Sequence, residues 1–426
     1  MPKSPNASAI STSGHAWTVC ATILAFTAAH IAVLVASQTS EPHGAGDVSL
    51  YESWMDFAIH SGGWPVFNFK WVYPVVALVP MAVAWALAAL TGLSYLSSWW
   101  LMVTLLDFAA GGLLVRSFGW RRAATPVLAW SAFMALMGGP GLMRLDALVP
   151  PLILTALLIA GRHPAVAAAV LTVGAWIKVA PGVVVVPLLA VFRRRWREIL
   201  VGGGVVSAAV ALAVLVAGAG PGSLFGFVSS QSGRGLQVES IAATPFVLAR
   251  AATGQPLATY NDALSTWELD SSASPVVGRV CDIALPLALI AIAWLSYRAR
   301  RRRQEAMIIG TLAALGAAIV ANKVGSPQFM DWLVAPVLMG LARRPRSEAW
   351  RVAAALLGVC AALTRLIFPV AYGWFLEGDA GMVAVAFTRN AIVVAIFVAS
   401  VVKLSQLGSA TAAPIGAMRS RGRQIP

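Results

Sequence analysis

One isolated carboxylate is the first residue in this sequence whose position could support chemistry. Asp47 lies in the segment Gly46-Asp47-Val48-Ser49-Leu50-Tyr51, about ten residues after the first long apolar run. A carboxylate within hydrogen-bond reach of a substrate hydroxyl can act as a general base. The spacing alone fits a solvated loop acid as well, so both interpretations stay open at this point.

Two polar segments further along the chain carry groups that bind anions or sugars. Residues 322–328 place Lys323, two amides and a hydroxyl between two apolar runs, a combination that could bind a lipid phosphate. Residues 230–240 combine Arg234 and Glu239 with paired Ser and Gln side chains, which suits hydrogen bonding to sugar hydroxyls or a phosphate. A plain turn and a flexible surface loop are the respective alternatives.

Further charged residues lie near or inside apolar runs. An unpaired charge at the centre of a bilayer costs roughly 2.5–3.5 kcal/mol on insertion scales. Some of these residues must therefore form structural ion pairs, and we predict that Asp107 and Asp282, deep in their runs, do so. The full set is Asp107, Arg144, Asp146, Lys178, Asp282, Lys323, Asp331, Arg365 and Arg389.

The elements that hold these residues are predicted to be membrane helices. Hydrophobic residues make up 59% of the 426 residues and charged residues only 11%, against roughly 25% charged in soluble domains. Residues 16–37 contain no charge and are long enough to cross a ~30 Å hydrocarbon core as a helix. This run is too long for an ordinary signal peptide and is interpreted as a retained anchor. The sequence predicts an all-α, polytopic transmembrane helical bundle.

Twelve apolar runs are candidate spans, separated by two larger polar loops. The first loop, residues 38–72, is rich in aromatic residues and predicts short helices at the membrane interface. The second loop covers residues 219–275. The candidate spans are 16–37, 73–93, 95–115, 123–137, 145–160, 165–192, 199–218, 276–297, 306–321, 329–342, 349–368 and 382–402.

The first half of the chain allows two topologies. Strict alternation through the twelve spans places Arg116, Arg121, Arg122 and Arg162 outside, against the rule that short cytoplasmic loops are rich in Arg and Lys. The conflict disappears if residues 165–192 form a hairpin broken at Lys178 and residues 73–115 cross only once. We favour the hairpin, which also fixes the side on which Arg144 and Lys178 lie.

The arginine clusters set the predicted orientation. They occupy short gaps between apolar runs, which is the pattern of cytoplasmic loops in a multi-pass plasma-membrane protein. The net charge of +14 is therefore attributed to topology, and no nucleic-acid partner is expected. The clusters are Arg193, Arg194, Arg195 and Arg197; Arg298 and Arg300 to Arg303; Arg343, Arg344 and Arg346; and, in the tail, Arg419, Arg421 and Arg423.

These features divide the chain into four segments. Residues 1–218 form a transmembrane module that includes the loop 38–72, and residues 219–275 form a large extracytoplasmic loop. Residues 276–403 hold the C-terminal transmembrane helices, and residues 404–426 form a basic cytoplasmic tail. The three cysteines stand singly in apolar runs without ligand spacing, so neither a disulfide nor a metal site is predicted.

The ordered set of polar motifs resembles the polyprenyl-phosphate-sugar-dependent GT-C glycosyltransferases, in particular glycosyltransferase family 87 with its actinobacterial α-mannosyltransferases. The resemblance covers most of the chain in order, and each motif alone is weak. The motifs are Gly46-Asp47 with Tyr51, Gly63-Trp64-Pro65 and Tyr73-Pro74, Arg144-Leu145-Asp146, Lys178 with Pro181, Arg234-Gly235 with Glu239-Ser240, and Asn322-Lys323 with Ser326-Pro327-Gln328.

This resemblance implies an inverting sugar transfer on the extracytoplasmic face. The donor would be a polyprenyl-phosphate sugar, most simply mannose, and the acceptor a glycolipid or glycan embedded among membrane lipids. Asp47 would deprotonate the acceptor hydroxyl, and no metal or other cofactor is expected because basic side chains can neutralise the leaving phosphate. The residues assigned to the donor phosphate and substrate are Lys323, Arg234, Lys178, Arg144, Arg365, Gln328, Glu239 and Tyr73.

One departure from the resemblance concerns the first loop. Several GT-C relatives carry a pair of acids there, whereas Asp47 is followed by Val48 and Ser49. Either a single carboxylate suffices, or Glu52 or Asp56 has a supporting part.

Two other functions fit the same sequence. A transporter or flippase of a lipid-linked sugar would bind the same headgroup without consuming it, and a glycan polymerase would make long chains. The sequence leaves open the acceptor, the linkage position and the donor sugar, for which arabinofuranose is an alternative to mannose.

Overall fold

The computed structural model describes residues 6–39, 42–262, 266–269 and 271–410. These residues form an all-α bundle with one short β-hairpin, as the continuous apolar runs predict. From residue 411 onward the predicted basic tail, with Arg419, Arg421 and Arg423, lies outside the described residues.

The first part of the bundle runs to the start of the second polar loop. Its α-helices are α1 (Asn6–Thr39), α2 (Gly46–Ser61), α3 (Leu78–Thr91), α4 (Tyr95–Phe118), α5 (Trp120–Met137), α6 (Gly139–Leu142), α7 (Val149–Ile159), α8 (Pro164–Ile177), α9 (Ala180–Val183), α10 (Val185–Val191) and α11 (Trp196–Val216). Short 3₁₀ turns at Val75–Ala77 and Leu145–Leu148 lead into α3 and α7.

The second part contains the polar loop and the C-terminal helices. Its elements are α12 (Gly226–Ser232), α13 (Thr244–Ala252), β1 (Thr259–Asn261), β2 (Thr266–Glu268), α14 (Ser274–Arg298), α15 (Arg303–Val320), α16 (Val334–Arg343), α17 (Glu348–Arg365), α18 (Tyr372–Leu376) and α19 (Ala380–Ala410). The two strands pair antiparallel, with Tyr260 opposite Trp267. A 3₁₀ segment, Pro327–Leu333, leads into α16.

Within the described residues, seven helical segments are long and apolar enough to cross a membrane, which makes the chain a membrane protein. They are Ala16–Thr39, Tyr95–Phe118, Arg193–Val216, Ser274–Arg298, Arg300–Val320, Glu348–Val370 and Ala380–Ser409. The predicted spans 73–93, 145–160 and 165–192 correspond to shorter apolar helices, namely Val75–Thr91, Leu145–Ile159, Pro164–Ile177 and Ala180–Val191. They are short because polar residues such as Arg144 and Lys178 interrupt the helices inside the bundle.

Residues 164–191 form the broken hairpin. Trp176 donates a hydrogen bond to Ser207 at 3.1 Å, and Gly202 lies against the carbonyl of Ala165, so α8 and α11 run in the same direction. The intervening α9 and α10 must therefore return across the bundle. The reversal falls at Lys178, whose backbone is extended (φ −148°, ψ 132°) between α8 and α9.

Residues 73–115 cross the bundle only once. Tyr73, before α3, and Trp99, in α4, both pack on the ring of Tyr51, with ring centroids 6.4 and 5.0 Å away. The chain therefore enters and leaves α3 at the same end of the bundle. Gly92, with φ +72°, ends α3 in a left-handed conformation that favours glycine.

The two ends of the bundle differ in their side chains. At one end, here called the arginine end, Arg195 donates to the carbonyl of Arg162 at 3.1 Å and Arg193 packs 5.6 Å from the ring centroid of Tyr297. At the other, here called the site end, the predicted chemical residues meet. The cores of α15 and α16 fill the space between these ends, and nearly all of their side chains are buried.

Candidate functional site

A cavity of about 1030 Å³ opens at the site end of the bundle. Most of the residues predicted for the site line it, although they come from widely separated parts of the chain. Those lining residues are Asp47, Tyr73, Arg144, Lys178, Arg234, Glu239, Lys323 and Gln328. The cavity therefore brings Asp47 of the first loop together with cations from four later segments.

Asp47 lies in the first turn of α2, where the helix dipole favours a negative charge. Its side chain is 27% exposed. The Tyr51 hydroxyl, one turn later, donates to one carboxylate oxygen at 3.4 Å, and an Nη atom of Arg144 lies 3.6 Å from the other oxygen. Asp47 is thus held from two sides while it still faces the cavity.

Tyr51 fixes the position of Arg144 relative to Asp47. Its side chain is fully buried, and its hydroxyl accepts a hydrogen bond from the backbone N–H of Leu145 at 3.2 Å. Burial raises the pKa of Tyr51 well above its ordinary value, so the hydroxyl stays protonated and can donate to the carboxylate.

Arg144 joins the first loop to the later polar segment. Its guanidinium donates to the side-chain oxygen of Gln328 and lies 5.1 Å from the ring centroid of Phe368. The planar fork of arginine can hold Asp47 and Gln328 at once. A single ammonium group cannot reproduce that geometry.

Lys178 forms a second anchored cation. Its Nζ lies 2.9 Å from the carboxylate of Asp146, which is buried and also accepts a hydrogen bond from Trp332 at 2.7 Å. The carboxylate of Asp146 thereby offsets the cost of burying the Lys178 ammonium. The ammonium also lies 5.0 Å from the ring centroid of Tyr73.

Lys323 and Asp282 pair across the cavity wall, with Nζ 3.2 Å from the carboxylate. The prediction of an ion pair for Asp282 is confirmed. The prediction that Asp282 lies deep in its run is wrong, because its side chain is 57% exposed and lines the cavity. Asp282 stands only two turns from the start of α14, which is why it reaches the opening.

The backbone around Lys323 is hydrogen-bonded to the outer loop, residues 219–275. Gln237 donates its backbone N–H to the Lys323 carbonyl at 2.9 Å, and its side-chain oxygen accepts from Gly325 N–H at 3.1 Å. A Cβ on Gly325 would lie 2.2 Å from the backbone nitrogen of Ser240. Only glycine therefore permits this close approach.

Arg234 reaches the cavity from the same outer loop. Burial lowers the pKa of its guanidinium, and its Nε is buried with no hydrogen-bond partner among the described residues. A buried cationic donor without an acceptor is ready to bind an anionic oxygen.

Glu239 lines the cavity, but its carboxylate is engaged in the protein. Arg389 donates to it at 3.0 Å and to the Glu239 carbonyl at 3.1 Å. Both side chains are buried. Asn390 extends the network by donating to Thr244 at 2.8 Å, so Glu239 attaches the outer loop to α19.

Arg365 is the predicted site residue that does not line this cavity. Its guanidinium packs on Gly138 and donates to the carbonyl of Ala135 at 2.9 Å. The assignment of Arg365 to the donor phosphate is therefore withdrawn. The last turn of α17 directs the side chain toward the end of α5 instead.

Two other acids, Asp107 and Asp56, lie outside the cavity. Asp107 forms a hydrogen bond with His30 at 3.2 Å, both side chains being buried, and the contact is an ion pair only when the imidazole is protonated. Asp56 accepts a hydrogen bond from Trp85 at 3.3 Å. Neither Glu52 nor Asp56 lines the cavity, so Asp47 is the acid that the described part of the first loop contributes to it.

Sequence reasoning missed some of the lining residues. Gln237 lies inside the polar segment 230–240 and could have been selected from its position between Arg234 and Glu239. Phe368 and Tyr372 also line the cavity, but they follow the apolar span of α17 and carried no polar signal.

The described residues contain no group of three or more His, Cys, Asp or Glu side chains placed to hold a metal ion. The carboxylates that line the cavity are Asp47, beside Arg144, and Asp282 and Glu239, which pair with Lys323 and Arg389. Lys178 and Arg234 add positive charge on the other walls. Such an arrangement can remove a proton at one wall and stabilise a developing anion at another.

Comparison with known proteins gives one match. The sequence model of Glycosyltransferase family 87 matches residues 65–317, a stretch that contains Tyr73, Arg144, Lys178 and Arg234. No curated protein and no solved structure matches the chain. Since the matched stretch covers more than half of the 426 residues, the chain belongs to glycosyltransferase family 87.

Proposed function

We propose that this glycosyltransferase moves mannose from a polyprenyl-phosphate donor to a glycolipid or glycan acceptor, with inversion at the anomeric carbon. The observation that carries the proposal is the shared cavity, in which Asp47 faces Lys178, Arg234 and Lys323. Transfer of a sugar from a phosphodiester donor needs both a base for the incoming hydroxyl and cations that stabilise the leaving phosphate.

Asp47 is proposed as the general base. An acceptor hydroxyl bound beside it loses its proton to the carboxylate while its oxygen attacks the anomeric carbon. The new C–O bond forms on the face opposite the phosphate, and the bond from the anomeric carbon to the phosphate oxygen breaks with its electron pair. A β-linked mannosyl donor thereby gives an α-mannoside.

Arg234, Lys178 and Lys323 are proposed to bind the phosphate that leaves. Negative charge grows on its oxygens in the transition state, so fixed cations stabilise that state more than the ground state. The buried Nε of Arg234 supports this role because it has no hydrogen-bond partner among the described residues. Asp146 and Asp282 keep the two lysines in position at 2.9 and 3.2 Å.

The polyprenyl carrier fits the position of the cavity in a membrane bundle. Apolar residues including Val179, Phe227 and Val228 line it beside the charges, which suits a ligand with a charged head and a hydrocarbon tail. We place the arginine end in the cytoplasm of a plasma-membrane protein by the charge rule for short loops, so the site end and the reaction face outward.

The test is transfer by the purified protein in detergent with polyprenyl-phospho-mannose and extracted membrane lipid. Asp47→Asn is expected to lower turnover by about 10²–10⁴-fold, the range that general-base catalysis supplies. Asp56→Asn is the matched control, since it makes the same change in the same helix outside the cavity.

Three outcomes would contradict the proposal. Wild-type turnover by the Asp47→Asn protein removes Asp47 as the base. Binding of donor with no product in detergent supports a flippase, because movement across a bilayer is impossible there. Products longer than a single added hexose by mass support a glycan polymerase.

A further inference from the structure

A second cavity of about 440 Å³ lies at the arginine end, on the opposite side of the bundle from Asp47. It is bounded by the end of α4, the turn between α7 and α8, the start of α15 and the end of α16. Arg116, Arg162 and Arg343 line it together with Gln304. None of these residues takes part in the proposed transfer.

The three arginines face a space without a balancing charge. No carboxylate is among the described residues that line the cavity. The nearby acids are engaged elsewhere: Glu305 pairs with Arg302 and Arg344, and Glu198 pairs with Arg195.

Arg343 is the most constrained of the three. It donates to the side-chain oxygen of Gln304, and its guanidinium lies 5.6 Å from the ring centroid of Phe118. Its Nε is buried with no hydrogen-bond partner among the described residues. A buried donor on a held guanidinium requires an acceptor, and a phosphate oxygen is the acceptor that arginine matches best.

The rest of the wall is apolar. Leu157, Phe192, Ile308 and Met339 line the cavity beside the arginines. The cavity also lies where the long helix Tyr95–Phe118 ends, at the level at which a membrane helix meets lipid headgroups. This combination of cationic and apolar lining suits a phosphate that carries hydrocarbon chains.

We infer that this arginine-lined cavity binds the phosphate headgroup of an anionic phospholipid, separately from the donor site. Arg343 and Arg162 contact the phosphate, Arg116 adds charge at the rim, and the apolar wall contacts the glycerol and the first acyl carbons. The inference concerns the other end of the bundle, so it stands or falls independently of the proposed transfer.

The test is native mass spectrometry of the purified full chain in detergent, titrated with phosphatidylglycerol. Phosphatidylcholine serves as the zwitterionic lipid control and inorganic phosphate as the lipid-free anion. The Arg162→Gln/Arg343→Gln double variant is expected to bind phosphatidylglycerol at least roughly tenfold more weakly, because it loses the charge-assisted hydrogen bonds of two guanidinium groups. Arg116→Gln, at an exposed residue, is a second variant expected to weaken binding.

Arg346→Gln is the matched control. It removes the same charge at the same end of the bundle from an exposed residue outside the cavity, and it is expected to bind phosphatidylglycerol like the wild type. Equal weakening by Arg346→Gln would overturn the inference in favour of general surface charge. The inference would also be overturned if the double variant and Arg116→Gln both bind phosphatidylglycerol as tightly as the wild type. It would likewise be overturned if the protein binds inorganic phosphate, the variants weaken that binding, and phosphatidylglycerol does not bind.

Discussion

Replacing Arg144 with lysine tests whether the geometry of the guanidinium, rather than its charge, supports catalysis. In the wild type, one Nη atom lies 3.6 Å from the Asp47 carboxylate and the other donates to Gln328. The ammonium of lysine keeps the positive charge, but its donors all lie on one nitrogen, so it cannot place two donors at the separate positions of the two Nη atoms. Arg144→Lys therefore loses one charge-assisted hydrogen bond and the support that it gives to Asp47.

The expected magnitude follows from that one bond. A hydrogen bond to a charged group contributes about 1.5–3 kcal/mol, which corresponds to roughly a 10- to 150-fold fall in kcat/KM if the bond supports the transition state. We expect most of the fall in kcat, because Arg144 positions the proposed base.

A double-mutant cycle provides the assay. Transfer is measured for the wild type, Arg144→Lys, Gln328→Ala and the double variant, each checked for a monodisperse gel-filtration peak. Gln328→Ala removes the same bond from the other side, so Arg144→Lys should cost little in that background. If the fall in kcat/KM of the double variant equals the product of the two single-variant falls, the two residues do not act through a shared bond and the prediction is refuted. A kcat/KM for Arg144→Lys within about threefold of wild type would also refute it.

Three further predictions address the surroundings of the site. Gly325→Ala is expected to lower transfer at least roughly tenfold, because its Cβ would lie 2.2 Å from Ser240 N and displace the Lys323 backbone. Gly373→Ala is the control, since there is open space where its Cβ would lie. Equal transfer activity of the two variants would contradict the prediction. Arg365→Gln should keep turnover within about threefold of wild type, since the Arg365 guanidinium lies outside the cavity. A fall in turnover as large as that of Asp47→Asn would show that Arg365 belongs to the site. Transfer should persist in excess EDTA, because side-chain cations stabilise the leaving phosphate, whereas inactivation reversed by a divalent cation would show that a metal is needed.

The all-α membrane bundle could be predicted from the sequence because it follows from local physics. Long uncharged runs such as residues 16–37 must form helices that satisfy their own backbone hydrogen bonds in lipid. The break at Lys178 was also predicted, because a hairpin there removes the conflict between the arginines of the first half and the charge rule for short loops. Asp47, Arg234 and Lys323 stood out because polar residues are scarce in such a composition.

The tertiary structure decided which of these residues meet. Arg144 and Arg365 both look like charges at helix ends in the sequence, yet one contacts Asp47 and the other packs on Gly138. Asp282 belongs to the cavity because α14 begins only two turns earlier at the site end. These outcomes depend on the direction in which each helix presents its side chains and on which helices are neighbours, and neither is encoded in the local hydropathy of any single segment.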